Sequence, residues 1–403
     1  MLSIPESTRL AHDRQHIVCR THDVVLSDFT PATREPTRPQ AFRDENFDRQ
    51  FDGTTLFYDA VDVGDSRIVL LAPPFFNLAG HLAATSFFQG SARCPAEIRH
   101  LDRHAQVWVQ APNEGDIRAT GPLGEFAVRV SPTCRELFRD RRVIFTMSKD
   151  NSIEWILDWV KFNRDVHGAD AVLIYDNAST AYDSATLSAA LRSVPGIAQS
   201  VVVEWPYRYG PQGTNSWDHW DSDFCQLGAW EHARWRFLQD AKSAMNSDID
   251  ELVLSKDSQS VFEAAEQSSS GLVRYRGRWI IGVDDRDANA PAERLPRHRD
   301  FSILMPPDYR FSWLRGRRDI NRCQPKWTVV PRKCPQAVQW HVHSIASWWP
   351  SYLPCSRNFS FSHFREIGNN WKYQRTFRVP LDPSIHETDE LLRTTIAHVA
   401  WDS

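Results

Sequence analysis

Three carboxylates stand within four positions in the stretch Asn246-Ser247-Asp248-Ile249-Asp250-Glu251-Leu252-Val253-Leu254, and an apolar run follows them at once. What acids at i and i+2 can do depends on the backbone beneath them. On a helix they diverge by roughly 200° and cannot share a ligand. On an extended segment both point to one face, their Cα atoms about 6.5–7 Å apart. There, one carboxylate can hold a hard divalent cation that also binds substrate phosphates, while the other completes the metal shell or takes a ribose hydroxyl. The same residues have a plainer reading, since Asp248-x-x-Glu251 has the spacing of a helix-start capping box. The extended reading gives Asp248 and Asp250 a common face, turns Ile249 inward and leaves Glu251, opposite Asp250, as a cap.

Further groups with chemistry lie in the last third of the chain. Lys326-Trp327-Thr328-Val329-Val330-Pro331-Arg332 is a basic, strand-like segment, and Gln339-Trp340-His341-Val342-His343 alternates so that both histidines share a face. Two histidines at i and i+2 without a third clustered ligand suit cross-strand hydrogen bonding as well as they suit a metal. A basic run from Arg294 to Arg322 reads either as a solvated loop or as a functional patch for an anionic ligand. Nucleic acid fits it poorly, because Tyr309, Phe311 and Trp313 form one short segment and not a repeated stacking platform.

Elements must bring these groups together. Val143-Ile144-Phe145-Thr146-Met147 reads as a strand ending at Ser148-Lys149-Asp150-Asn151. A helix follows, with Ile153, Ile156, Leu157 and Val160 on one stripe and Trp155, Trp159, Phe162 and Val166 on another, so it is buried broadly. Gly168 ends it. Ala171 to Tyr175 is a second strand closing on Asp176-Asn177, a helix spans about 184–193, and Ser200 to Trp205 is a third strand. This β-α-β-α-β order is the first half of a doubly wound parallel sheet, and such sheets bind ligands outside the carboxyl ends of their strands. Ser148, Lys149, Asn151, Asp176 and Asn177 fall there. A long helix with Trp220, Phe224, Leu227, Trp230, Ala233 and Phe237 on its buried face comes next, and then a weak strand, Ala244-Met245-Asn246, delivers Asp248 and Asp250 to the same edge.

The expected organisation is an irregular arm over 1–40, a small β-rich, sandwich-like domain over 41–138, an α/β domain over 139–385 and a helical tail over 386–403. With 403 residues, 41% of them hydrophobic, and a net charge of −4, the chain is globular and lacks a global pull toward nucleic acid or acidic membranes. Seven scattered cysteines without a Cys-x-x-Cys pair fit reduced thiols and a cytoplasmic setting. Neither a signal peptide nor a transmembrane segment is visible, so any membrane contact is expected to be peripheral.

Taken together, Met147-Ser148-Lys149-Asp150-Asn151 through Trp159, His167-Gly168-Ala169-Asp170 leading to Tyr175-Asp176-Asn177-Ala178-Ser179, and Ser247-Asp248-Ile249-Asp250-Glu251-Leu252 resemble the GT-A glycosyltransferases of the family-92 or DUF23 type and their family-2-like relatives. The resemblance covers about residues 141 to 375 and leaves the N-terminal 140 outside. It implies a GT-A domain, a nucleotide-sugar donor, most commonly UDP-linked, and Mn²⁺ or Mg²⁺ held by the Asp-x-Asp motif. It also implies hexose transfer to a glycan or lipid-linked glycan, as in bacterial-type surface polysaccharide assembly. By the same resemblance Asp176 and Asn177 lie against the nucleoside, Asp248 and Asp250 take ribose and metal–diphosphate, Lys326 and Arg332 hold the diphosphate, and His343, or else His341 or His363, is a third metal ligand. An inverting reaction needs a carboxylate base, for which Asp285, or alternatively Asp319, is the candidate; a retaining one does not. Two rivals remain. Paired carboxylates on an α/β sheet also serve a nucleotidyl- or phosphotransferase, although no Gly-x-x-x-x-Gly-Lys loop is present. Sixteen Trp residues suit a glycan-binding protein, but a pure binder gains nothing from packing three acids together.

Overall fold

The computed structural model describes residues 16–112, 115–211, 222–284, 294–312, 316–319, 321–369 and 378–403. Its centre is a large, mostly parallel sheet with helices on both faces, an α/β architecture. The strands that position the site are β1 (His16–Cys19), β2 (Arg142–Ser148), β3 (Ala171–Asp176), β4 (Gln199–Glu204), β5 (Ser243–Asn246), β6 (Glu251–Ser255), β7 (Leu272–Asp284), β8 (Lys326–Val329) and β9 (Phe359–Phe364). They run in the order β1-β4-β3-β2-β5-β8-β7, with the first five parallel and β8 antiparallel to both neighbours. β6 pairs antiparallel with β9, which lies parallel to the far half of β7.

Strict alternation along the strands builds two cores. Ile144, Val172, Ile174, Val202 and Met245 face one side, where they meet α1 (Ile153–His167) and α2 (Ser184–Arg192). Val143, Phe145, Leu173, Tyr175, Val201 and Val203 face the other, against α3 (Phe224–His232) and the π-helical turn Ala233–Leu238 that continues it. Helix α1 starts where the Ser152 hydroxyl accepts the Glu154 N–H and stops at Gly168, whose φ of 72° suits a residue without a Cβ. The expected start of the long helix at Trp220 lies outside the described residues, and what is described begins at Phe224.

The N-terminal arm differs from expectation. His16–Cys19 is a strand added in parallel to β4, so the arm contributes an edge to the α/β sheet. Between the arm and β2, a five-stranded and a four-stranded sheet enclose a separate apolar core. That β-rich module packs on the outer face of α3. An added Cβ on Gly228 would lie 2.5 Å from the Tyr58 ring, which accounts for a glycine in the middle of this helix. All seven cysteines are free thiols. Among the described residues no helix is long and apolar enough to cross a membrane.

Candidate active site at the carboxyl edge of the sheet

Register puts the site's parts side by side. Ser148 pairs with Asp176 across β2 and β3, and Phe145 pairs with Asn246 across β2 and β5, so the chain leaving β5 emerges beside the ends of β2 and β3. The segment that carries Asp248 and Asp250 is a turn, not the extended strand expected from their spacing. Four bonds lock it. The Glu251 N–H donates to the Asp248 carbonyl (3.0 Å), the Ser247 hydroxyl to the Glu251 carbonyl (3.1 Å), His298 Nε2 to the Ile249 carbonyl (2.8 Å), and the Phe364 N–H to the Asp250 carbonyl (2.8 Å). Ile249 packs into the core as expected.

Beneath the turn lies a chain of alternating charge. Lys326 Nζ is 2.8 Å from Asp248 Oδ2 and 3.2 Å from Glu251 Oε2, and the same Glu251 oxygen accepts the Asp248 N–H at 3.0 Å. That last bond is half of the capping-box pattern, but here it opens a strand and not a helix. His363 continues the chain, with Nε2 3.0 Å from Asp250 Oδ2 and Nδ1 3.7 Å from Glu251 Oε1. The Trp279 ring stacks on the His363 imidazole at 3.9 Å, and the Arg365 guanidinium lies 5.2 Å from the Trp279 ring. Exposure divides the acids: Asp248 keeps 32% of its side chain in solvent and Asp250 17%, while Glu251 and Lys326 keep 2% and 1%.

The electrostatics follow from this layering. Burial would raise the Asp248 carboxyl, but the group still meets solvent and the Lys326 ammonium outweighs the lost water, so it sits below its ordinary value. Burial raises Glu251, with Lys326 opposing. Burial would lower Lys326, yet Asp248 and Glu251 more than offset it, and the ammonium stays charged.

The remaining expected site residues divide. Ser148, Lys149 and Asn151 sit at the carboxyl edge, joined by Asn151 Nδ2 to Ser148 Oγ (2.9 Å) and Lys149 Nζ to the Asn177 carbonyl (3.1 Å). Asp176 Oδ1 accepts the Ser179 hydroxyl at 2.5 Å, and burial raises its carboxyl. Asn177 braces the strand end, its amide donating to the carbonyls of Trp205 and Tyr207, both at 2.8 Å. His343 Nδ1 donates to the Pro325 carbonyl at 3.1 Å, which leaves Nε2 as the nitrogen with a lone pair. The loop carrying it is tied down by Asn246 Nδ2 on the Val342 carbonyl, 2.6 Å.

Several expectations are corrected. Lys326 lies under the turn, where the solvent-facing Asp248 and the buried Glu251 share its ammonium. Arg332 lies at the opposite edge of the sheet, paired with Asp140 at 3.2 Å and the Asp240 carbonyl at 3.0 Å. His341 does not share a face with His343: it turns toward Asp102 of the β-rich module, 3.7 Å away. His363 holds Asp250 Oδ2 through Nε2 at 3.0 Å, and its Nδ1 faces Glu251 Oε1 at 3.7 Å. Asp285 lies outside the described residues. Asp319 is occupied, its Oδ1 accepting the N–H groups of Asp308 (3.1 Å) and Asn321 (3.0 Å). Part of the basic run is structural, since Arg297 Nε pairs with buried Asp158 at 2.6 Å and Arg294 with Asp300 at 2.6 Å. What the sequence reading missed is Glu251 as a member of the site. The available signal was a charge placed directly before the apolar strand Leu252–Leu254, which must be paired if it is buried.

Fold and site together define an α/β protein with an acidic centre at the carboxyl edge of a parallel sheet. No protein-family model matches the sequence, and no curated protein matches it. Among solved structures the chain is similar to the galactosyltransferase LgtC in complex with donor and acceptor sugar analogues, with 12% identity over 48% of this chain and 58% of that one and a TM-score of 0.24. It is similar to an active-site mutant of LgtC at 11% identity, 48% and 58% coverage and the same TM-score of 0.24. The match thus spans little more than half the length of LgtC, and a likeness of this size bears on neither chemistry nor substrate.

Proposed function

We propose that this chain is a GT-A-type, metal-dependent glycosyltransferase, moving a hexose from a nucleotide-sugar donor, UDP-linked, to a glycan or lipid-linked glycan acceptor. One observation carries the reading: two solvent-facing carboxylates, Asp248 and Asp250, sit on a locked turn at the ligand-binding edge of the sheet, each braced from behind by a buried partner. The residues fit a divalent ion in charge. Asp248 and Asp250 both face solvent, while the one ammonium beneath them, Lys326, is shared between Asp248 and Glu251. They fit it in number as well. Among the described residues no three His, Cys, Asp or Glu side chains form a closed metal group, and Mg²⁺ commonly takes one or two carboxylates and completes its shell with waters and substrate phosphates. Asp248 and Asp250 would hold the ion, with His343 Nε2 a further candidate. When bound, Mn²⁺ or Mg²⁺ would act as a Lewis acid on the charge that builds on the leaving diphosphate. Ser148, Lys149, Asn151 and Asp176 line the same edge and would meet the donor's nucleoside and ribose. A cytoplasmic enzyme in peripheral contact with a membrane that carries its acceptor, of the kind used in surface polysaccharide assembly, is the setting that suits this reading.

The test is nucleotide diphosphate release from a panel of UDP- and GDP-sugars with Mn²⁺, with and without EDTA, for the wild type and Asp250→Ala. Metal-dependent UDP release that disappears in the variant is expected. Release of pyrophosphate or monophosphate would replace this reading with nucleotidyl or phosphoryl transfer. No turnover with any donor and an acceptor mixture would leave a glycan-binding protein.

A further inference from the structure

We infer that Glu251 is a positioning residue for the cation: from beneath the turn it fixes both solvent-facing carboxylates and governs their affinity for a divalent ion that it does not touch. The inference rests on the reading of Asp248 and Asp250 as the ion's ligands. Glu251 reaches Asp248 directly and Asp250 through His363. Its Oε2 holds the Asp248 backbone N–H at 3.0 Å and the Lys326 ammonium at 3.2 Å, and Lys326 in turn reaches Asp248 Oδ2 at 2.8 Å. Its Oε1 faces His363 Nδ1 at 3.7 Å, and the other nitrogen of that ring holds Asp250 Oδ2 at 3.0 Å. Stacking on Trp279 keeps the imidazole from swinging away. Glu251 itself cannot reach an incoming ion, having 2% of its side chain exposed beneath two acids that are exposed.

The direction of its effect follows from charge sharing. Lys326 is a single ammonium divided between Glu251 and Asp248. Glu251 Oε2, 3.2 Å from that ammonium, draws it away from Asp248, which keeps donor strength for the ion above. Replacing the Glu251 carboxyl with an amide gives the ammonium up to Asp248 alone, and that weakens the hold on a divalent cation. Outer partners of metal ligands typically change metal affinity by about 10–100-fold, and Glu251 acts on two ligands at once.

The measurement is Mn²⁺ binding, by the loss of free Mn²⁺ signal in electron paramagnetic resonance, on the full chain with and without UDP, so that no turnover is required. Glu251→Gln keeps an acceptor for the Asp248 N–H and removes only the charge. It should weaken Mn²⁺ binding by at least about tenfold while its far-UV circular dichroism matches the wild type. The double variant Glu251→Gln with Lys326→Met removes the ammonium as well, returns the two ligand carboxylates to an uncompensated state, and should regain most of the affinity. A purely structural role for Glu251 would not produce that recovery. Binding by Glu251→Gln within twofold of the wild type would overturn the inference and leave the transferase reading untouched, as would a double variant that binds no better than the single one. A wild type that fails to bind Mn²⁺ even with UDP would remove the metal reading and this inference together, whereas donor turnover resistant to EDTA would then keep the transferase without its cation.

Discussion

Lys326 is the residue whose loss should tell most about how the acidic turn is held. Its ammonium is buried and shared by Asp248 and Glu251, and taking one partner out of a buried ion pair leaves an uncompensated charge that costs about 3–5 kcal/mol. Lys326→Met is therefore expected to lower the free energy of unfolding by about that amount, read from urea denaturation at pH 7. Adding Glu251→Gln removes the stranded charge, so the double variant should recover most of the loss, and a cycle of the two singles and the double measures the coupling. Equal destabilisation in Lys326→Met and in the double variant would mean that the lysine stem, not its charge, is what matters. The same residues mark how far the site was legible in sequence. Asp248, Asp250 and the carboxylate partner Asp176 could be placed at one edge because each follows an apolar strand in a β-α-β order. Lys326 and Arg332 could not be told apart by type, yet they flank a single strand. Lys326 opens the strand and pairs with Asp248, whereas Arg332 lies in the turn Pro331–Lys333 beyond its other end and pairs with Asp140. Which of the two reaches the site depends on the direction of β8, and that direction is set by its antiparallel pairing with β5 and β7, strands that lie far from it in sequence.

Helix α1 and the strand that follows it were readable because their residues obey the two periods of regular structure, and because Gly168 sits where a helix stops. Elements held by tertiary contacts alone were not readable. The strand His16–Cys19 is four residues long and mixed in character, and it exists because β4 offers an open edge. The π-helical end of α3 leaves no periodic trace either. One consequence for stability sits at the end of α1, at His167. Its ring bridges two elements, with Nε2 donating to the Val253 carbonyl at 2.8 Å and Nδ1 accepting the Val261 N–H at 3.3 Å. That pattern requires the neutral imidazole, and burial lowers its pKa to about 4 from the ordinary 6.5. Between those values the unfolded chain binds a proton that the folded chain refuses, so stability is at its full value above pH 6.5 and falls as the pH drops toward 4. At pH 5 the loss from this one group is about 2 kcal/mol. Urea denaturation at pH 7 and pH 5 should show that loss in the wild type on top of other titrations. In His167→Gln, which keeps a donor for the Val253 carbonyl, the same comparison should give a pH dependence smaller by about 2 kcal/mol. An unchanged dependence would show that His167 takes up its proton in the folded state.

At the scale of the whole molecule, the division into a β-rich part and an α/β part describes the chain but not its cohesion. A sequence reveals where strand patterns give way to helices, and it does not reveal that buried charges 177 positions apart are partners. Asp59 of the β-rich module is fully buried, and Arg236 Nη1 and His232 Nε2 both reach its Oδ2 at 2.9 Å, while the Ser131 hydroxyl donates to Oδ1 at 2.8 Å. His232 then accepts the Tyr175 hydroxyl on Nδ1 at 2.8 Å, so the network runs from the module through α3 and its π turn to the strand that ends in Asp176. Burial would raise the Asp59 carboxyl, but Arg236 and His232 hold it below its usual value and keep it ionised. Around this charge the module covers α3 with Tyr58, Val61, Val69, Leu71 and Trp108, the last with its ring centroid 4.8 Å from that of Trp235. Two expectations follow. Asp59→Ala should destabilise the chain by about 3–5 kcal/mol, since it strands the buried Arg236 guanidinium. Residues 139–403 produced alone should not fold, because they lack both the β1 edge of the sheet and the cover of α3. The expected signature is collapsed, aggregation-prone protein that binds a hydrophobic dye and melts without cooperativity. A soluble fragment with a sharp melting transition would mean that the module is an appendage. In that case the acidic turn would owe nothing to the Asp59 network, and Asp59→Ala in the full chain should leave Mn²⁺ binding at Asp248 and Asp250 unchanged.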